Sequence, residues 1–159
     1  ALDARDYARR VCELPHIAGM KITDRDLFQF GTIYHTAGDK LQLFSGADEL
    51  LCHATLSGSA GAIGTFYNVW GPACRQARNA VINGNFQAGL KFMQVFQSTL
   101  AEILSTGSHW TFLQSALKHL HGVDVGLPRA PLAVGNREWD IEEIDRLIEE
   151  VNRVAQAIS

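Results

Sequence analysis

The chain has 159 residues, 47% of them hydrophobic, which is enough to build a core but bounds it to one domain or part of one. A formal net charge of −3 and the lack of arginines clustered among aromatics argue against nucleic acid as a partner, and suit small polar substrates better than polyanions. No apolar stretch approaches the ~20 residues of a membrane span, the N-terminus has no basic and apolar signal regions, and Cys12, Cys52 and Cys74 make neither a CxxC pair nor an even disulfide set. A soluble, cytoplasmic protein is expected, with no membrane partner.

In chain order, residues 2–13 place Leu2, Tyr7, Ala8, Val11 and Leu14 near one helical stripe, which Pro15 ends. An apolar strand is predicted over residues 17–22. It contains Lys21, the only lysine in the run Ile17-Ala18-Gly19-Met20-Lys21-Ile22. From Asp24 to about Thr36, the positions Leu27, Phe28, Ile33 and Tyr34 recur at helical spacing up to Gly38. Leu41 to Phe44 reads as a second strand, Ala47 to Leu56 as a short helix closed by Gly58, and Ala60 to Ile63 as a third strand. This alternation calls for a parallel sheet with helices against it.

After Tyr67 helical signals take over, with helices over Gly71–Ile82, Phe86–Leu104 and Ser108–His121. The prolines of Gly126–Pro131 make an extended loop, and a last helix from about Glu138 carries Ile141, Ile144, Leu147, Ile148, Val151, Val154 and Ile158 on one face. Three parallel strands alone leave two open edges and one poorly covered face. A (β/α)8 TIM barrel takes about 250 residues. The fold expected is therefore α/β, the C-terminal portion of such a barrel (last three strands) followed by a C-terminal helical extension. Residues 1–69 would hold the βα units, and residues 70–159 the last barrel helix and the extension.

Functional groups of parallel α/β folds gather at the C-terminal strand ends, and all three ends here are polar. Lys21 and Thr23 follow the first, Ser45, Gly46, Asp48 and Glu49 the second, and Gly64, Thr65, Tyr67 and Asn68 the third. A buried lysine has its ammonium form disfavoured and becomes a candidate imine-forming nucleophile; alternatively its stem lines the strand while the charge reaches water. Thr23-Asp24-Arg25-Asp26 and Ser45-Gly46-Ala47-Asp48 equally match helix capping boxes, and Glu49 a favourable helix-dipole position. His119 and His121, two apart, point to different helix faces, so no metal pair is expected. Gly58, Gly61 and Gly64 flank a strand rather than open a helix, which discounts phosphate binding.

Three segments in order, Gly19-Met20-Lys21-Ile22-Thr23-Asp24, Phe44-Ser45-Gly46-Ala47-Asp48-Glu49 and Gly61-Ala62-Ile63-Gly64-Thr65-Phe66-Tyr67-Asn68, resemble the C-terminal half of the N-acetylneuraminate lyase family. That family shares a superfamily with dihydrodipicolinate synthase, and Leu127–Leu132 resembles it too. The resemblance implies that Lys21 forms a Schiff base with a 2-oxo acid and that no cofactor is needed beyond this covalent imine. By the same resemblance Thr23 contacts substrate near the reacting carbons, Gly46, Asp48 and Glu49 bind its hydroxylated tail, and Gly64 with Thr65 hold further hydroxyls. Trp110, counted back from Pro128, falls where the family has an aromatic near substrate. The family has serine at the position of Thr65. Its tyrosine proton shuttle and its carboxylate-binding loop belong to the N-terminal half, and neither motif occurs here. The implied partners are a small oxo-acid or sialic acid, the N-terminal half of the barrel, and further subunits of a tetramer; the isolated chain is expected to be inactive. A 2-keto-3-deoxy sugar acid aldolase, a dihydrodipicolinate synthase-like enzyme and an inert half-barrel are the alternatives.

Overall fold

The computed structural model describes residues 3–132 and 137–158; Leu2, placed on the first stripe above, lies outside them. Helix α1 (Ala4–Glu13) starts where the Asp3 carboxylate accepts from the amides of Arg5 and Asp6, and stops at Leu14 before Pro15. Strand β1 (Gly19–Ile22) leads to α2 (Leu27–Ala37), which Gly38 ends with φ 55°, a backbone conformation that favours glycine. Strand β2 (Gln42–Ser45) runs into a single 3-10 turn, Asp48–Leu50, and then α3 (Leu51–Leu56). Strand β3 (Gly61–Ala62) is followed by four long helices: α4 (Tyr67–Ile82), α5 (Phe86–Ser105), α6 (His109–His121) and α7 (Ile141–Gln156).

The strands pair in parallel in the order β1-β2-β3, Lys21 opposite Phe44 and Phe44 opposite Gly61. Each new strand joins the same side of its predecessor with no reversal of direction across the sheet. Strands in a (β/α)8 barrel follow chain order without reversal, and these three match adjacent strands of one, with a helical extension following them.

Several boundaries differ from the sequence expectation, each for a physical reason. In α2 the buried face is Phe30, Ile33 and Ala37, while Phe28 is 81% exposed and Tyr34 also faces out. The helix packs against Ala8, Leu41 and Leu43 at once, and only that face meets both α1 and the sheet. Helix α4 begins at Tyr67 rather than Gly71, because a kink at Trp70 (φ −115°, ψ 22°) splits off a first turn. Pro72 is tolerated because it follows that break, where its missing N–H costs no hydrogen bond of the straight segment. Helix α7 begins three residues later than expected, since residues 137–139 are tied to the start of α6. Arg137 N–H donates to Ser108 Oγ, Thr111 Oγ1 to Arg137 O, and Trp139 Nε1 to Ser108 O.

Two cores result. A small one holds Ala8, Phe30, Ile33, Ala37, Leu41 and Leu43. A large one is centred on Trp70, stacked on Phe112 at 5.8 Å and edge-on to Phe96 at 5.9 Å, and is closed by Ile144, Leu147, Ile148 and Val151 of α7. No helix among the described residues is long and apolar enough to cross a membrane.

Candidate active site

Lys21 leaves the sheet from β1, which has β2 as its only neighbour among the described residues, and its side chain is exposed. The expected burial of this lysine is not met within this chain, because an edge strand is covered on one side alone. Its stem is nonetheless directed. A β-carbon at Gly46 would collide with Lys21 Cε and Thr23 Oγ1, so both side chains lie over the bare backbone that follows β2. Gly46 N–H donates to Ile22 O at 2.8 Å, which holds the two strand ends together.

The capping alternatives fail for Thr23 and Asp48. Asp26 caps α2, accepting from Gln29 N–H at 3.0 Å, and leaves Thr23 free of that role. No side chain caps the turn at Asp48, whose carboxylate instead crosses to the third strand end. There Oδ2 accepts from Phe66 N–H at 2.7 Å, and the carboxyl fills the space a side chain at Gly64 would need. Asp48 is only 5% exposed. Burial is the largest influence on its carboxyl and pushes the pKa above 3.8; the Phe66 amide and Lys21 pull it down, and Glu49 adds to the rise.

Glu49 turns outward. Its carboxylate pairs with Arg25 Nε at 2.9 Å and its carbonyl accepts from Gln97 Nε2 at 2.6 Å, so α5 anchors the turn. Thr65 is exposed and lines a cavity of about 430 Å³ together with Asn68, Trp110, Leu113 and Pro128–Leu132. The structure thus makes two groupings across the strand ends, Lys21, Thr23 and Gly46 in one and Asp48, Gly64 and the Phe66 amide in the other. Thr65 and Trp110 share a cavity, and Glu49 sits at the rim.

The sequence reading missed Arg25, Gln97 and the Phe66 amide. A backbone amide has no sequence signature, and Gln97 shows itself only as a polar residue beside the apolar face of α5. Cys74 and Cys52 are buried free thiols, that of Cys52 pushed up to about 11 by burial. His119 pairs with Asp145 at 2.7 Å, and among the described residues no group of three or more His, Cys, Asp or Glu side chains is placed to hold a metal.

Parallel strands in chain order with polar groups at their C-terminal ends fit the (β/α)8 barrel as the scaffold class. The particular family follows from the sequence match: residues 5–150 fit the family described as dihydrodipicolinate synthetase, and the chain belongs to it. Among solved structures it is similar to an N-acetylneuraminate lyase from Fusobacterium nucleatum complexed with pyruvate, at 28% identity and TM-score 0.66, covering 92% of this chain and 46% of that one. CdNal from Clostridium difficile in complex with mannosamine shares 25% identity at TM-score 0.72, covering 97% and 49%. A sialic acid aldolase from Ruminococcus gnavus, at 18% identity and TM-score 0.84 over 98% and 52%, shares the fold. The chain spans about half the length of the solved structures it matches.

Proposed function

We propose that the chain supplies the nucleophile and the tail-binding side of a class I aldolase that cleaves N-acetylneuraminate to N-acetylmannosamine and pyruvate, once the other strands of the barrel are joined to it. The observation that carries this reading is the convergence of the Lys21 stem and the Thr23 hydroxyl over Gly46, beside a buried Asp48 seated over Gly64. Family membership and the pyruvate and mannosamine named for two relatives support it.

In this reading the free amine of Lys21 attacks the C2 carbonyl of the open-chain sugar acid, and water leaves as the protonated imine forms. The imine accepts the electron pair of the C3–C4 bond as it breaks. The C4 hydroxyl gives up its proton and becomes the aldehyde of N-acetylmannosamine. The resulting enamine takes up a proton at C3, and hydrolysis returns pyruvate and the amine. Thr23 stands beside the reacting carbons. Asp48, Glu49, Gly46, Gly64 and Thr65 bind hydroxyls of the tail, with Trp110 across the cavity from Thr65. The imine itself is the electron sink, so no cofactor enters. The carboxylate-binding loop and the proton-carrying tyrosine come from the other strands, and assembly is tetrameric.

Borohydride trapping with pyruvate followed by peptide mapping tests this. In the complete barrel the adduct should fall on Lys21; an adduct elsewhere, or none, would end the aldolase reading. A 2-keto-3-deoxy sugar acid suits the same three strand ends. Comparing its turnover with that of N-acetylneuraminate decides the substrate.

A further inference from the structure

Two buried polar atoms beside the third strand end have no hydrogen-bond partner among the described residues, Asp48 Oδ1 and the Tyr67 hydroxyl. They are of complementary type. A carboxylate oxygen accepts, and a phenol has one proton to donate. Buried polar groups in folded proteins nearly always find partners, so two orphans at one place call for a common explanation.

The place is Gly64. The Asp48 carboxyl takes up the volume of a side chain there, and Tyr67 Cε2, the ring carbon next to the phenol carbon, would stand 2.8 Å from a β-carbon at that position. Carboxyl and ring edge therefore meet over the bare α-carbon. Asp48 is restrained from turning away because Oδ2 is held by the Phe66 amide. Tyr67 is the next residue, so the two groups that face Asp48 are successive in the chain. The other titratable groups acting on the pair are Lys21 and Glu49 around Asp48, with Glu49, Cys52 and Cys74 around Tyr67. Burial holds both thiols protonated, and a thiol sulfur is a weak acceptor. The Glu49 carboxylate is taken by Arg25, which leaves the Asp48 carboxyl, seated against the ring edge over Gly64, as the charged acceptor for the phenol.

We propose that Tyr67 is a positioning residue for the tail-binding carboxyl: a small rotation of the phenol places its O–H on Asp48 Oδ1, and the carboxyl is then held from both sides by Phe66 and Tyr67. Oδ2, which accepts one bond from the Phe66 amide, keeps a second lone pair to receive a substrate hydroxyl. This role rests on the aldolase reading and deepens it, since it makes Tyr67 a determinant of tail recognition that acts through Asp48 without touching a reacting atom.

Tyr67→Phe in the complete barrel tests it. The KM for N-acetylneuraminate should rise about 5- to 10-fold, the loss of one hydrogen bond of ordinary strength. The KM for an oxo-acid ending one carbon beyond the cleaved bond, and the yield of pyruvate adduct at Lys21, should hold. Adding Tyr67→Phe to Asp48→Asn should cost nothing further, because the two act as a unit. An unchanged KM, an equal rise for the short substrate, or additive losses in the double variant would each overturn the proposal. Failure of the aldolase reading shows separately, as no Lys21 adduct in the unsubstituted protein, and removes this role with it.

Discussion

The part of the chain up to Phe66 and the helical part after it differ in how they are held. The first closes over a core of six side chains, of which Phe30 alone is aromatic, and leaves Phe28, Leu56 and Ile63 exposed. The second encloses an aromatic centre in which Trp70, Phe92, Phe96 and Phe112 are out of contact with water. The side chains of the candidate site sit on the thinner side. Their positions are set across the boundary: the Phe66 amide fixes Asp48, and Gln97 from α5 fixes the turn that carries Glu49. A site can thus be built on a weakly cored sheet if the neighbouring helices reach over to hold it.

Core truncations measure this contrast most directly. Trp70→Ala should cost about 3–5 kcal/mol in denaturant unfolding, because the cavity is walled by rings that cannot close it. Leu43→Ala, equally buried in β2, should fall at the lower end, about 2–3 kcal/mol, since an open-edged sheet relaxes around the gap. Equal losses would erase the difference between the two regions.

Asp48 gives a smaller effect with a definite pH sign. Its folded pKa is raised above 3.8, so its contribution to stability is present at low pH and declines as pH rises through the folded value. Asp48→Asn should therefore stabilise the chain at neutral pH, with the gain fading as pH falls through the raised folded value and gone below about 4, where both states are protonated. Thermal melts across that range check it; a gain independent of pH would assign the effect to packing. The smallest change expected is Arg25→Ala. That arginine is 81% exposed, and its pair with Glu49 should be worth no more than about 0.5 kcal/mol. A larger loss would make the rim a structural element of the sheet.

Much of the scaffold was legible because glycines and prolines punctuate it. Pro15, Gly38 and the Asn83-Gly84 break bound α1, α2 and α4 where periodicity places them. The start of α4 was not legible, since its first turn is separated by a kink set by where Trp70 packs, and periodicity carries no record of that. The strand ends were readable as polar clusters following apolar runs, yet capping and chemistry looked alike there. The structure distinguishes them: Asp26 takes the cap through the local amide of Gln29, and Asp48 reaches across to Phe66. Lys21's exposure was equally hidden, because a strand's sequence does not record whether both of its neighbours are present.

The kink at Trp70 joins two jobs in one helix. Residues on its near side wall the strand-end site, while Trp70 itself donates through Nε1 to the carbonyl of Ile148 in α7 at 3.4 Å. The last helix, far away in the chain, is thereby three residues from Tyr67. A change in the packing of α7 would therefore be passed through the Trp70 indole to the first turn of α4, and felt beside the third strand end.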